Sequence, residues 1–224
     1  MPDQNSAWQQ LVIVRTALAS QIPVDPSQLL LVRDEQGSQL RVIDPPADSV
    51  PREGAVLLLL YPVDDELVLP LTVRSERLST HRGEVALPGG RVDPDDHDVA
   101  ATALRECAEE LGVDTQEITV LGTLVPLYIP VSRFRITPVV AYCAHVPEFT
   151  LNSVEVSAVF AITLRALLDP ATVRVEQRDW WGRAAQVPYY AAGAHKIWGA
   201  TAIVLSELVA KIRTIQQQEL PNDD

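Results

Sequence analysis

The spacing of apolar residues along the chain predicts helices near both ends and strands between them. Residues 5–20 and 197–218 both carry apolar side chains at helical spacing. The runs AVLLLLYPV and LVLPLTVR, separated by DDE, predict a hairpin of buried strands. Further strand-like runs lie at residues 117–128, 134–146 and 156–164. This order predicts an α/β or α+β sandwich and not a doubly wound sheet, because strands and helices do not alternate regularly. The apolar face of the first helix is predicted to hold Trp8, Leu11, Val12, Val14, Leu18 and Ala19.

Residues 87–113, LPGGRVDPDDHDVAATALRECAEELGV, predict a glycine turn, an acidic loop and an amphipathic helix. Asp96 or Asp98 is suited to cap the start of this helix, and Gly112 is suited to end it. Glu106, Glu109 and Glu110 stand at i, i+3 and i+4 and share one face, while Arg105 is four residues before Glu109 and can pair with it. The opposite, apolar face is predicted to hold Ala100, Ala103, Leu104, Cys107 and Leu111, so we interpret Cys107 as a packing residue and not as a nucleophile.

The acidic face has two interpretations. If it is solvated, each like-charged pair costs only about 0.2–0.5 kcal/mol, so a purely structural helix is acceptable. If it is half-buried, the same pairs repel by about 4 kcal/mol at about 4 Å and an effective dielectric near 20. A cation would then be required, and a cluster of oxygen ligands favours Mg²⁺ or Mn²⁺. Helical spacing alone leaves both interpretations open.

The composition of the chain limits the classes of partner that it is expected to bind. The formal net charge of −12 argues against a nucleic-acid-binding surface, which is normally basic. The longest apolar run is too short to span a bilayer, so no membrane partner is expected. No secretory signal is expected from the first residues. The 2 cysteines do not make a disulfide framework, which predicts a reducing, cytoplasmic location.

The same stretch resembles the Nudix box. That pattern is Gly, five residues, Glu, seven residues, then Arg-Glu, an apolar residue, any residue, Glu-Glu, any residue, Gly and an apolar residue. Gly90 begins the match, and Arg105 through Val113 fit it completely. Asp96 occupies the first acidic position, and eight residues instead of seven precede Arg105.

The resemblance implies a fold and a set of roles. The fold would be the Nudix fold, a mixed β-sheet sandwiched between α-helices. Glu106, Glu109 and Glu110 would bind the divalent metal together with a carbonyl of the Gly89-Gly90 turn, which we assign to Gly90. Arg105 would orient a glutamate. Glu155, in NSVEVSAVF, matches a family position near the metals, so it is a candidate ligand or general base beside the catalytic candidates Arg105 and Glu109.

The preceding segment, PLTVRSERLSTHRGEVALPGG, resembles the additional motif of Nudix enzymes that hydrolyse coenzyme A. Arg74, Ser75 and Gly83 match it in register, whereas Pro70, Ser79 and Leu87 depart from it. The segments RITPVV and IWGATA also resemble that subfamily. The substrate-binding residues predicted on this basis are Arg74, Ser75, His81, Arg82 and Gly83, and Arg133 is added from the loop YIPVSRFRI.

The predicted activity is therefore metal-dependent hydrolysis of the diphosphate of coenzyme A or an acyl-CoA. One alternative is the same chemistry on another nucleoside diphosphate derivative, such as ADP-ribose or NADH. This alternative stays open because Ser79 replaces an arginine of the coenzyme A motif. Another is a non-catalytic Nudix-fold binding module, against which the intact Arg105 and box glutamates argue. We predict an N-terminal helix with its connecting segment (1–50), a Nudix domain (51–215) and a polar tail (216–224), with a homodimer left open.

Overall fold

A computed structural model of the protein describes residues 6–20, 22–40, 43–77 and 83–219. The helices are α1 (Ala7–Ala19), α2 (Val99–Leu111), α3 (Leu164–Leu168) and α4 (Gly199–Glu219). The strands are β1 (Arg33–Asp34), β2 (Arg52–Val63), β3 (Glu66–Arg74), β4 (Val85–Ala86), β5 (Gly89–Arg91), β6 (Ile118–Thr123), β7 (Leu127–Ile129), β8 (Phe134–Cys143), β9 (Val156–Thr163), β10 (Val173–Asp179), β11 (Ala184–Ala192) and β12 (His195–Trp198).

The larger sheet is mixed and lies between helices, as predicted. Its strand order is β4-β3-β2-β8-β6, with β5 on β2, β7 on β8 and β9 on β3. Strands β2 and β8 run parallel, and the other pairs are antiparallel. The register of the parallel pair joins Arg52 to Phe134 and Leu60 to Tyr142.

The run of four leucines in β2 is explained by burial on both faces of the sheet. Leu57 and Leu59 pack in the core beneath α2. Leu58 and Leu60 point to the opposite face, where they join the core formed with α1 and α4. The predicted hairpin of β2 and β3 is confirmed, and its two-residue turn places Asp64 and Asp65 at φ 47° and 62°, the left-handed geometry that matches the twist of paired strands.

The predicted apolar face of α1 is too wide. Leu11 and Val14 are fully buried, but Trp8, Val12 and Ala19 are exposed. Helix α1 contacts α4 and strands β3 and β6, and these neighbours cover only a narrow stripe of it. Counting every apolar residue at helical spacing therefore overestimated the buried face.

A smaller antiparallel sheet was not predicted. Strand β11 lies at its centre and pairs with β10, β12 and the short β1. Strand β10 is mostly exposed or half-buried, so its apolar pattern is weak. Helix α4 continues to Glu219, so residues 216–219 of the predicted polar tail are helical. The predicted domain boundaries otherwise stay predictions.

Candidate active site

Helix α2 carries the acidic residues and has the predicted caps. The Asp98 side chain accepts a hydrogen bond from the Ala101 N–H at 2.8 Å, and Gly112 ends the helix at φ 67°. Ala103, Cys107 and Leu111 are fully buried in the core under this helix. Burial raises the pKa of the Cys107 thiol to about 12, which agrees with the packing role predicted for it.

The glycine turn lies directly against the acidic face. Gly89, Gly90 and Arg91 pair with the start of β2, with Gly90 opposite Ala55. A Cβ placed on Gly90 would lie 2.5 Å from the carboxylate atoms of Glu106. The Gly89 N–H donates to the Glu110 carboxylate. Only glycine leaves room for a carboxylate at this position, because any side chain would occupy the same space.

Arg105 connects the loop to the glutamates. Its guanidinium donates through Nε and Nη2 to both carboxylate oxygens of Asp96, at 3.0 and 2.9 Å. Nη2 also reaches the Arg91 carbonyl at 3.0 Å. Nη1 donates to Glu106 at 2.9 Å and to Glu109 at 3.3 Å. The predicted pairing with Glu109 is therefore present, but Asp96 makes the better, bidentate contact.

Asp96 thus has a clear structural position despite the longer loop. It accepts further hydrogen bonds from the Asp93 N–H at 2.9 Å and from the Thr102 hydroxyl at 2.8 Å. Hydrogen bonding by Arg105 holds the pKa of Asp96 well below its usual range, and the Asp93 N–H adds to that effect. The sequence marked Asp96 as a departure from the box pattern and as one of two candidate caps, and the cap is Asp98. The structure makes it the anchor of Arg105.

Glu106, Glu110 and Glu155 form what we call the carboxylate cluster. Glu110 is 4% exposed. Burial raises the pKa of Glu110 to about 8, with the charges of Glu155 and Glu106 adding to the increase and that of Arg74 opposing it. Burial also raises the pKa of Glu106, while its hydrogen bond to Arg105 opposes the increase. The ionised forms of Glu106 and Glu110 are thus disfavoured, and nearby positive charge would stabilise them.

Glu155 reaches the cluster through the loop between β8 and β9, which bonds to the end of α2. The Thr150 and Asn152 N–H groups donate to the carbonyls of Leu111 and Glu110, at 2.7 and 3.0 Å. The Asn152 amide then contacts the Glu155 carboxylate at 3.4 Å. This loop therefore brings Glu155 close to the end of α2, although the Nudix box pattern does not include Glu155.

Arg74 lies at a bulge where β3 pairs with β9, since the register shifts between Val73 and Arg74. Its Nε is buried without a hydrogen-bond partner in the described part of the chain. The neighbouring Ser75 is buried, and its N–H donates to the Glu155 carbonyl at 2.8 Å. Bulges commonly redirect a side chain toward a site, and here the arginine is close enough to lower the pKa of Glu110.

The other predicted residues are less central. Gly83 takes φ 66°, and its N–H donates to the Arg74 carbonyl at 3.0 Å. Glu109 is 58% exposed at its side chain, and it shares the Arg105 guanidinium with Glu106. Arg133 lies in the exposed turn before β8 and is not beside the cluster. His81 and Arg82 lie outside the described residues.

The cluster suits a divalent cation by its donor atoms. It offers only carboxylate oxygens, which hard cations prefer, and the space above Gly90 accommodates a carboxylate but not a Cβ. Across residues 6–20, 22–40, 43–77 and 83–219, no three His, Cys, Asp or Glu side chains are gathered closely enough to hold a metal as they stand. One Glu106 oxygen is engaged by Arg105, which leaves the other oxygen available.

A mixed sheet between helices, with a carboxylate-bearing helix against a glycine turn, is the arrangement of a Nudix protein. The family model described as NUDIX domain matches residues 51–187. The chain therefore belongs to the Nudix hydrolase family. Members of this family act on small nucleoside diphosphate substrates and generally need divalent metal cations.

Several known proteins are similar. The chain is 39% identical over 162 residues to "Nudix hydrolase 15, mitochondrial" of Arabidopsis thaliana, covering 69% of this chain and 56% of that protein. It is 39% identical over 158 residues to "Mitochondrial coenzyme A diphosphatase NUDT8" of Homo sapiens, covering 69% of this chain and 66% of that protein. The chain thus spans little more than half of the plant relative and just under two thirds of the human one.

The solved structure of RenU, a Nudix hydrolase from M. smegmatis, aligns with a TM-score of 0.50 at 17% identity, covering 86% of this chain and 98% of that one. This likeness supports the fold alone. Of the helices that the structure describes, none is both long and apolar enough to cross a membrane.

Proposed function

We propose that the protein hydrolyses the diphosphate of coenzyme A or an acyl-CoA, giving phosphopantetheine, free or acylated, and adenosine 3′,5′-bisphosphate. The observation that carries this proposal is the position of the segment resembling the coenzyme A motif. Two residues of that segment interact with the carboxylate cluster. The charge of Arg74 lowers the pKa of Glu110, and the Ser75 N–H donates a hydrogen bond to the Glu155 carbonyl. The human relative, 39% identical, is named a coenzyme A diphosphatase.

The proposed roles follow from the contacts. Glu106, Glu110 and Glu155 would hold Mg²⁺ or Mn²⁺, with Glu109 and the Gly90 carbonyl as further candidate ligands. When bound, such a cation neutralises charge on the diphosphate and makes water a stronger acid. Arg105 acts as a positioning residue because it fixes Glu106 against Gly90. Glu109 and Glu155 are the candidates for the general base, since each is a carboxylate at the edge of the site.

Arg74 has a further role in this proposal. Its buried Nε lacks a partner among the described residues, so a phosphate oxygen of the substrate would complete its hydrogen bonding. Ser75 and Gly83 shape the backbone around it, and His81 and Arg82 stay predicted substrate contacts.

The test is a hydrolysis panel with coenzyme A, acetyl-CoA, ADP-ribose, NADH and ATP, each with Mg²⁺ or Mn²⁺. Reaction in ¹⁸O-labelled water with mass detection identifies both the products and the phosphorus that water attacks. Glu110→Gln should abolish turnover, because it replaces a candidate carboxylate ligand with a neutral amide of nearly the same shape. Glu148→Gln, at an exposed glutamate elsewhere, is the matched control and should not. If coenzyme A is left intact by active protein, the proposal is wrong.

A second candidate is the same hydrolysis of ADP-ribose or NADH, which Ser79 at a motif arginine favours. The panel separates the two directly. Cytoplasm stays the proposed location because Cys107 and Cys143 are both free and buried, although the plant and human relatives are named mitochondrial. A homodimer stays an open prediction.

A further inference from the structure

A cavity of about 390 Å³ lies beside the turn between β7 and β8. It is lined by the apolar residues Pro46, Val50 and Pro51, by the largely buried Tyr128, and by the charged residues Arg133 and Asp48. This volume is in the range of small-ligand pockets. The cavity contains none of the residues of the carboxylate cluster.

The cavity opens on the same face of the sheet as the Gly90 turn. Paired residues point to one face, and Gly90 pairs with Ala55. Two residues before Ala55, Glu53 pairs with Arg135, which in turn pairs with Tyr128. Strands β5, β2, β8 and β7 therefore connect the two places, a distance of about 14 Å across the sheet at about 4.8 Å per strand.

The two places are joined through the backbone of the sheet. A Cβ on Gly54 would lie 2.6 Å from the Gly90 carbonyl and 3.2 Å from the Phe134 ring. Phe134 directly follows Arg133 in the chain, and the Arg133 carbonyl accepts the Arg52 N–H at 2.8 Å. Gly54 and Phe134 alternate with Ala55 and Arg135 along their strands and therefore lie on the opposite face of the sheet. The link between the glycine turn and the cavity thus runs through the strands themselves.

Arg133 is the cation of this cavity, and its conformation is unusual. It has φ 56°, a left-handed conformation that Gly and Asn adopt more readily than arginine. No described residue accepts a hydrogen bond or ion pair from its guanidinium. In a chain of net charge −12, an arginine without a carboxylate partner at a strained turn position indicates an anionic ligand.

We propose that this cavity binds the nucleoside 3′,5′-bisphosphate end of the substrate, with Arg133 on the 3′-phosphate and the base against Val50 and the neighbouring prolines. A guanidinium matches phosphate oxygens, and the apolar surface of Val50 and two prolines covers one face of a planar base. The inference rests on the proposed function, because the diphosphate would lie at the carboxylate cluster while the nucleoside extends across the sheet.

The experiment compares coenzyme A with 3′-dephospho-coenzyme A in steady-state kinetics. Arg133→Asn keeps a residue that tolerates the left-handed conformation and removes the charge. It should raise KM for coenzyme A about tenfold or more, the value of a charge-assisted hydrogen bond, with kcat unchanged. KM for the dephospho substrate should stay the same. Arg174→Asn, an equally exposed arginine in the smaller sheet, is the charge-matched control and should change neither substrate.

Equal changes for both substrates, or no change, would overturn the inference while leaving the proposed function intact. If the wild-type protein does not cleave coenzyme A, the proposed function fails, and calorimetry with adenosine 3′,5′-bisphosphate decides the cavity separately. Binding by wild type and loss in Arg133→Asn supports it; absence of binding by wild type refutes it. The melting temperature of Arg133→Asn should equal or exceed that of wild type, which excludes misfolding as the cause.

Discussion

Replacement of Gly90 by alanine tests whether the position of the Glu106 carboxylate governs the activity. Gly90 is not at a positive φ, so its backbone accepts alanine without conformational strain. The new Cβ would lie 2.5 Å from the Glu106 carboxylate, whereas ordinary contact begins at 3.4 Å. Because the clashing atoms are the end of a flexible side chain, Glu106 should move away by about 0.9 Å, the difference between these distances. The Gly90 carbonyl remains in place.

A displacement of about 1 Å at a reacting centre typically costs about 100-fold in rate. We therefore expect kcat for coenzyme A hydrolysis to fall about 100-fold in Gly90→Ala. The free energy of unfolding should change by no more than about 1 kcal/mol, because the gain from restricting the unfolded chain offsets the local crowding.

Gly54→Ala is the comparison variant, in which the crowded group is the Gly90 carbonyl and not the Glu106 carboxylate. Its Cβ would meet the Gly90 carbonyl at 2.6 Å, and backbone cannot move aside as a side chain can. This variant should lose about 1–3 kcal/mol of stability, as in other overpacked sites. Urea unfolding and kinetics at a constant folded fraction separate the two effects. A Gly90→Ala protein with kcat within threefold of wild type would refute the importance of the Glu106 position.

Three other substitutions test separate contacts. Asp96→Asn should lower kcat/KM about 10- to 100-fold, which is the usual cost of losing a residue that holds a metal ligand in place. It should also raise the Mg²⁺ concentration that gives the half-maximal rate. An unchanged Mg²⁺ requirement would contradict the positioning role of Arg105. Cys107→Ala should lower the free energy of unfolding in urea by about 1–2 kcal/mol and leave kcat unaltered. A folded but inactive variant would contradict a packing role for Cys107. Glu207 is buried and accepts a hydrogen bond from the Val125 N–H at 2.9 Å. Burial raises the pKa of Glu207, so the folded state binds its proton more tightly than the unfolded state does. The protein therefore loses stability as the pH rises above the ordinary pKa of a glutamate. Glu207→Gln should therefore melt above wild type by a margin that grows as the pH rises above the ordinary glutamate pKa of about 4. A constant margin would disprove the assignment.

The sequence predicted the elements that have strong local signals. The leucine-rich β2, its hairpin with β3 and the capped helix α2 have apolar periodicity and cap residues that act over a few positions. The smaller sheet has no such signal, because β10 alternates between exposed and half-buried residues. The parallel pairing of β2 with β8 joins residues about eighty positions apart and follows from packing, not from a local pattern.

The site shows the same division. Glu106 and Glu110 share a helix, so their proximity follows from helical geometry. The bidentate contact of Asp96 with Arg105 depends on the path of an acidic loop that is one residue longer than the family pattern. The link from Glu110 to Glu155 depends on backbone bonds from a loop some forty residues downstream. Spacing alone could mark these residues but could not specify their partners.

The hydrogen bonds from the 149–155 loop to the last turn of α2 also determine how the site can open. Thr150 and Asn152 donate to the carbonyls of Leu111 and Glu110, and Thr150 lies against Gly112. The end of the helix cannot fray without breaking these bonds and releasing Glu155. Local opening therefore involves the helix end and the loop as one cooperative unit. Partial exposure of one glutamate would require the opening free energy of the whole unit, so the carboxylates are expected to be assembled or lost together.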